Sequence, residues 1–196
     1  MNERGKILVA SDSGTFVLRF VGDVRLTLCV AIDDYLLQMF SDPTFEAVVV
    51  DLSEAEGIDS TSLGLLAKLA QETQEQTGRS ALLVSDTGDV HRALQSVGVD
   101  DLFEATEAAS HELSSRVLPP SYLDEAGRVA LRERVLDAHR RLMSLNEANA
   151  KEFKDLVAQL EALDKAGDKA GDKAGDEVIA AAGSAKPSSV LAASRE

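Results

Sequence analysis

The chain has 196 residues, of which 44% are hydrophobic and 4% aromatic, and its 34 acidic against 20 basic residues give a net charge of -14. This length allows one domain of ordinary size with an appendage, or two small domains, built around aliphatic side chains. The acidic balance argues against direct binding to nucleic acid or anionic membranes, which proteins bind through clustered Lys and Arg, and favours a protein partner with a basic surface.

The lone cysteine and the hydropathy pattern bear on the cellular compartment. Cys29 cannot form an internal disulfide, which suits a reducing cytosol, and its apolar surroundings at residues 26–32 predict a buried small side chain. The first six residues lead into a short apolar run unlike a secretory signal peptide. No window of about 20 apolar residues is present to span a membrane. We therefore expect a cytoplasmic protein.

The first 108 residues predict alternating strands and helices. Strands are indicated by period-two alternation or by short apolar runs, and helices by apolar residues at three- and four-residue spacing. The predicted strands cover residues 6–10, 15–21, 45–52, 80–84 and 102–104, and the predicted helices cover residues 26–40, 63–77 and 86–97. The order β-β-α-β-α-β-α-β predicts an α/β domain with a parallel or mixed sheet and helices packed against it.

The boundaries of these elements carry their own signals. Gly78 and Gly98 are expected to end the second and third helices as C-caps, and Asp86 or Thr87 is expected to begin the third as an N-cap. Residues 53–59, between the third strand and the second helix, are expected to form a loop.

The chain after residue 109 differs in character and predicts a C-terminal helical extension. A Pro-Pro breaker precedes one long predicted helix, at about residues 123–163, with a discontinuous apolar stripe and a basic first half. The basic residues in that half are Arg128, Arg132, Arg134, Arg140 and Arg141. Because a single helix cannot bury its own stripe, the extension must pack on the domain, pair with a second copy as a homo-oligomer, or await a partner.

Three segments therefore follow from the sequence. Residues 1–109 are predicted to form the α/β domain, residues 110–163 the helical extension, and residues 164–196 a low-complexity tail. The tail begins with repeated Asp-Lys-Ala-Gly units and continues with Ala, Ser and Pro, a composition typical of disordered segments.

The most informative segment is residues 58–66, Ile-Asp-Ser-Thr-Ser-Leu-Gly-Leu-Leu, where a buried strand gives way to an amphipathic helix. One interpretation is capping alone, since Asp59 or Ser60 can accept bonds from the free N–H groups of the first turn. The other is a phosphorylation switch. A helix N-terminus accommodates a phosphoserine, and an exposed hydroxyl there can be reached by a kinase.

The element order together with this motif resembles the STAS family. The resemblance covers roughly residues 6–108 and rests on the strand at 48–52 leading into the motif at 58–64, with residues 80–84 and 94–99 in supporting positions. It implies a mixed sheet with helices packed against it. It also implies a non-catalytic regulatory role without cofactor or metal, in the manner of the bacterial anti-sigma-factor antagonists of that family.

In those antagonists the serine after the aspartate is phosphorylated by a partner kinase that is also the anti-sigma factor, and a PP2C-type phosphatase removes the phosphate. The unphosphorylated antagonist binds the anti-sigma factor and frees the sigma factor, which controls transcription in a stress response by partner switching. By position, the resemblance implies that Ser60 is the phosphorylated residue. It implies a partner interface formed by Asp23, Arg25, Asp59, Thr61, Ser62 and Gly64.

Two sequence details refine the resemblance. The segment at residues 22–29 is similar to antagonists of gamma-proteobacteria that are encoded with response-regulator phosphatases, which implies a PP2C domain fused to a response regulator as the second partner. Ser62 stands where shorter motifs of the family have glycine, and Arg25 stands where an acidic residue is common.

Three other classes of protein match parts of the sequence. An enzyme is disfavoured because His91, His111 and His139 are scattered along the chain and no phosphate-binding loop or metal-ligand spacing is present. A response-regulator receiver would use Asp51 at the end of its central strand, but the N-terminal hairpin breaks that pattern. A STAS scaffold or sensor that acts without phosphorylation is the remaining alternative.

Overall fold

The structure is a computed structural model that describes residues 5–86, 88–107, 115–119 and 125–167. Within these residues six strands are formed: β1 Lys6–Asp12, β2 Thr15–Val24, β3 Ala47–Ile58, β4 Ala81–Val84, β5 Phe103–Ala105 and β6 Arg116–Val117. Six α-helices accompany them: α1 Cys29–Phe40, α2 Ser60–Thr77, α3 Asp89–Val97, α4 Glu125–Leu145, α5 Glu147–Glu152 and α6 Lys154–Gly167. Two short 3-10 turns, Leu26–Leu28 and Asp100–Leu102, precede α1 and β5.

The strands form one mixed sheet in the order β5-β4-β3-β2-β1-β6. The pairs β2–β3, β3–β4 and β4–β5 are parallel, whereas β1 pairs antiparallel with both β2 and β6. The predicted α/β class with a mixed sheet is therefore confirmed. The strand β6 has no counterpart in the sequence prediction, because two residues give too short a pattern to recognise.

Some predicted boundaries differ from the structure. Residues 53–58 were expected in a loop but continue β3, which pairs with β2 as far as Val24 through two register shifts. Their pattern of exposed glutamates alternating with half-buried residues fits a strand with one solvent-facing side. The helix α3 begins after Gly88 with no side-chain cap, so the expected cap at Asp86 is wrong, and Thr87 lies outside the described residues. Gly78 and Gly98 end α2 and α3 in the left-handed conformation, as expected.

The extension consists of three helices where one long helix was predicted. Asn146 breaks the helix with an extended backbone, at φ -161° and ψ 165°, and its side chain accepts a 2.8 Å bond from the backbone N–H of Asn149. The Asn149 side chain in turn donates to the carbonyls of Leu142 and Val97, at 2.9 and 2.8 Å. The break therefore attaches the extension to the end of α3. The helix α6 runs to Gly167 and so includes the first four residues of the low-complexity tail predicted at residues 164–196, which were not expected to be ordered; residues 168–196 lie outside the described residues.

The extension packs on the α/β domain. This was the first of the three arrangements that the sequence left open, and it is confirmed. Its apolar residues belong to the same buried cluster as those of the sheet and of α1, α2 and α3. The buried members from α4, α5 and α6 are Leu131, Val135, Leu136, Leu142, Phe153, Val157 and Leu160. A second, smaller cluster around Val17 and Val49 lies apart from it.

The proposed division of the chain near residue 109 stays a prediction. The strand β6 carries the sheet past that residue.

Candidate switch site

The segment that joins β3 to α2 is held by the carboxylate of Asp59. One carboxylate oxygen accepts a 2.8 Å hydrogen bond from the backbone N–H of Ser62 and so caps α2. The other accepts a 2.6 Å bond from the backbone N–H of Leu26, in the turn that leads into α1. Asp59 is buried. It therefore fixes the first turn of α2 and attaches it to the loop after β2.

Because both carboxylate oxygens of Asp59 hold otherwise unpaired N–H groups, we predict that Asp59→Ala lowers the free energy of unfolding by about 2–3 kcal/mol. Asp59→Asn keeps one acceptor oxygen and should lose less. Urea unfolding measures both changes, with the exposed Asp86→Ala as the control. A loss for Asp59→Ala no larger than that of the control would contradict the capping role.

The three hydroxyl residues of the motif are buried, which differs from the exposed switch hydroxyl that the sequence suggested. Ser60 and Thr61 are 0% exposed and Ser62 is 1% exposed. The Ser62 hydroxyl lies 3.6 Å from the Cys29 sulfur, inside the core, where burial raises the pKa of the Cys29 thiol well above its usual value. The Thr61 hydroxyl has no hydrogen-bond partner among the described residues.

The hydroxyl of Ser60 is bonded to a histidine from the extension. Its oxygen lies 2.9 Å from Nε2 of His139 on α4, and Nδ1 of the same ring lies 2.8 Å from the backbone carbonyl of Val135. A carbonyl can only accept, so Nδ1 must carry the proton. In the neutral ring, Nε2 then accepts, and the Ser60 hydroxyl donates to it. The Phe153 ring packs edge-on against the imidazole at 5.4 Å between centroids.

The environment of His139 favours the neutral ring. Burial lowers its pKa below the ordinary value of 6.5, while the bond to Val135 and the charge of Asp59 oppose this shift. A histidine whose pKa is lower when the extension is docked than when it is free binds protons better in the free form. Docking should therefore weaken as the pH falls through the ordinary histidine range.

We predict that hydrogen exchange in α4 becomes faster between about pH 7.5 and about pH 5.5, after correction for intrinsic rates, and that His139→Gln reduces this dependence. The ion pairs of Asp33 persist in this window. Its pKa is lowered because hydrogen bonds from Lys68 and Arg134 outweigh the opposing effect of burial. An equal pH dependence in the parent chain and in His139→Gln would show that another group is responsible.

The helices α2 and α4 cross in close contact at Gly64. A Cβ atom at position 64 would lie 2.4 Å from the backbone oxygen of Ala138 and 2.6 Å from its Cβ. Such distances are far below van der Waals contact, so position 64 takes only glycine while α4 is in place. This is the predicted interface glycine, and a helix of the same chain covers it.

Charged contacts flank this crossing. Arg134 donates to Asp33 at 2.8 Å and to Asp34 at 2.6 Å, and Lys68 donates to the other oxygen of Asp33 at 2.6 Å. Further along α4, Arg141 donates to the Gln71 side chain at 3.0 Å. Two arginines of the basic half, Arg134 and Arg141, thus lie against acidic residues of α1 and a polar residue of α2.

The remaining predicted interface residues, Asp23 and Arg25, pair with each other at 2.7 Å. The Asp23 side chain also lies against Gly57 near the end of β3, where a Cβ would be 2.5 Å from its oxygen. The Arg25 side chain is 46% exposed and is the most accessible of the predicted interface residues. Leu26, the residue after Arg25, is bonded through its backbone N–H to Asp59, so the Asp23–Arg25 pair lies next to the motif.

His139 is the residue of this site that the sequence interpretation missed. It lies 79 positions from Ser60, and the three histidines are scattered along the sequence with no common spacing. His111 lies outside the described residues, and the His91 ring neighbours Ser85, not the motif. The only available signal was the basic character of the extension in an acidic chain, which fits the acidic domain or an acidic partner and does not show which residue meets Ser60.

A serine bonded to a histidine resembles the nucleophile and base of a hydrolytic enzyme. Both side chains are 0% exposed, so no substrate atom can reach the Ser60 oxygen while α4 is docked. Within the described residues, no group of three or more His, Cys, Asp or Glu side chains is placed to hold a metal ion. Among the same residues, no helix is long and apolar enough to cross a membrane.

Comparison with known families supports the architecture. The family model described as STAS domain matches residues 6–113, more than half of the chain, and the chain belongs to the STAS domain family. STAS domains are in general regulatory and binding modules, not enzymes. A search among curated proteins found no match.

Proposed function

We propose that this protein is an anti-sigma-factor antagonist whose binding state is set by phosphorylation of Ser60. In this proposal the unphosphorylated chain binds an anti-sigma factor that is also a serine kinase, and so releases the sigma factor. A PP2C-type phosphatase, fused to a response regulator, resets the switch. Transcription is controlled through these protein partners, without contact between the chain and nucleic acid.

One observation carries the proposal. The N-cap of α2 is Asp59, and the Ser60 hydroxyl makes no bond to the backbone of its own helix. The capping interpretation therefore accounts for Asp59 and leaves the Ser60 hydroxyl without a role in the helix. A hydroxyl in the first helical turn that is not needed for capping can be modified without loss of the cap.

The local electrostatics support the same proposal. A phosphate on Ser60 would lie at the positive end of the 18-residue helix α2, which favours an anion. It would also add about two negative charges beside the Asp59 carboxylate. The two forms of the surface would therefore differ strongly in charge, which is what a partner needs in order to bind one form and reject the other.

The test is phosphorylation in an extract of the host with labelled ATP, comparing the parent chain with Ser60→Ala, Thr61→Ala and Ser62→Ala. We expect Ser60→Ala alone to lose the label. In a direct binding assay with the kinase so identified, Ser60→Ala should still bind it and Ser60→Glu should bind it more weakly. Full labelling of Ser60→Ala, with phosphate on Thr61 or Ser62, would refute the site assignment and leave the family unchanged.

The burial of Ser60 favours a second candidate function, a STAS scaffold that is never phosphorylated. If the extension stays docked at all times, the hydroxyl serves only to bond His139. The two candidates differ in the same extract assay, since a scaffold acquires no phosphate on Ser60 in any variant.

A further inference from the structure

The helix α4 lies over the surface that the proposed partner would use. We propose that the extension is an autoinhibitory segment, in which α4 occupies the face around Ser60 and Gly64 in cis and must leave before a kinase or anti-sigma factor can bind. This inference rests on the proposed function for the identity of the partner. The masking itself can be tested without any partner.

Burial of the motif is the first observation. Ser60, Thr61, Ser62 and Gly64 are all buried, and the hydroxyl of Ser60 is bonded to a side chain of α4. Kinases transfer phosphate to a hydroxyl that can enter their active site in line with the nucleotide. The Ser60 hydroxyl cannot do so while His139 covers it, and a phosphate attached there would overlap α4. Docking of α4 and phosphorylation of Ser60 therefore exclude each other.

The shape and charge of the face define what it accepts. Gly64 admits a small residue at the crossing point, here Ala138, and the acidic pair Asp33 and Asp34 accepts a basic residue one turn earlier. On α4 the residues Arg134, Ala138 and Arg141 recur at four- and three-residue spacing and so share one helical face. The covered surface therefore fits a helix with a small residue flanked by basic ones. A partner helix of that chemistry would compete directly with α4.

The contacts also permit release. Several of them are polar: the His139–Ser60 bond and the ion pairs of Arg134 and Arg141 can all be replaced by water or by a partner. Interfaces of this mixed character within one chain allow relative motion more readily than purely apolar ones.

The experiment measures accessibility at position 60 through a thiol. Ser60→Cys is treated with a small aromatic disulfide reagent, and the rate is compared with that of the same chain unfolded in urea. The unsubstituted chain supplies the blank, because its only thiol, Cys29, is fully buried. We expect the introduced thiol to react at least about a hundredfold more slowly in the folded chain than in the unfolded chain, as for a protected buried group.

Undocking variants are then added to Ser60→Cys. Gly64→Ala places a methyl group against the backbone of Ala138 and so destabilises the docked position of α4. Because overpacking of this kind costs about 1–3 kcal/mol, the labelling rate should rise by about tenfold or more. Gly88→Ala is the matched control, because a Cβ there meets nothing within 4 Å. Arg134→Glu, placed against Asp33 and Asp34, should act in the same direction, with Arg92→Glu on α3 as its control.

The inference is overturned if Ser60→Cys is labelled at the unfolded rate, or if labelling stays equally slow in both Gly64→Ala and Arg134→Glu. Hydrogen exchange in α2 and β3 shows whether each variant keeps the domain folded. If labelling is fast and these elements are also unprotected, the whole domain has opened, which would count against a release of the extension from a folded domain. No kinase is present, so a chain that is masked but never phosphorylated would support this inference while refuting the proposed function.

Discussion

Ser60→Glu is expected to drive the extension off the domain. The substitution places a larger, charged side chain where the hydroxyl is fully buried, next to the Asp59 carboxylate and a histidine whose environment favours the neutral ring. We expect the free energy of unfolding to fall by about 3–5 kcal/mol, the usual cost of a buried charge without a matched partner. In hydrogen exchange, α4 should lose most of its protection while the β-strands retain theirs.

Two variants control for this result. Ser60→Ala removes the bond to His139 without adding charge and should cost only about 1–2 kcal/mol, with α4 still protected. Ser96→Glu adds the same charge on the exposed surface of α3 and should change little. If α4 stays fully protected in Ser60→Glu, then a negative charge at this position is compatible with the docked extension, and the mutual exclusion of docking and phosphorylation fails.

Removal of the extension has the second large expected effect. A chain that ends at residue 119 keeps all six strands and α1 to α3 but loses the buried side chains of α4 to α6. We expect it to unfold cooperatively and to be less stable by about 3 kcal/mol or more. Several buried apolar residues each contribute about 1.5–3 kcal/mol, from which the entropy of ordering the extension must be subtracted.

A chain that ends at residue 109 is the matched comparison, since it also lacks β6 and Leu118, whose backbone N–H donates to the Ile7 carbonyl at 2.8 Å. The predicted boundary near residue 109 requires that this shorter chain also folds alone. Denaturant unfolding and near-UV circular dichroism of both chains test it. Loss of a cooperative transition in both would mean that α4 to α6 complete the core and cannot leave as a unit.

The α/β core and the position of the motif could be predicted from local patterns. The apolar run of β3, the helical spacing in α1 and the glycines that end α2 and α3 each act within a few residues, so their signals stand in the sequence itself. The same holds for a cap at Asp59 or Ser60, of which the structure has Asp59. The family motif then added Ser60 as the switch residue, a prediction that the structure leaves open.

What the sequence could not show depends on contacts between distant segments. The last part of β3 exists because β2 is available to pair with it, and the break at Asn146 exists because Asn149 reaches the end of α3. The contact between His139 and Ser60 requires α4 to cross α2 at Gly64, and helix crossings leave no periodic signal in either segment. The charge of the extension predicted contact with an acidic surface, but not whether that surface belongs to its own domain or to a partner, nor where on it the helix lies.

Docking and phosphorylation form a linked equilibrium in this account. If a phosphate on Ser60 excludes α4, then whatever stabilises docking must lower the extent of phosphorylation, and phosphorylation must favour the open extension by the same free energy. A partner helix that takes the place of α4 would act on the same equilibrium. The extension would thereby set a threshold for partner binding that a STAS domain without it lacks.

The most direct test of the central claim is the intact mass of the protein isolated from its own host, with the modified residue mapped by peptide fragmentation. We predict a fraction of the chain that carries one phosphate, on Ser60, and loss of that species in Ser60→Ala. Hydrogen exchange on the phosphorylated fraction should show α4 unprotected. A protein that carries no phosphate under any growth condition, or carries it at a site outside the motif, would contradict the assignment of Ser60 as the switch.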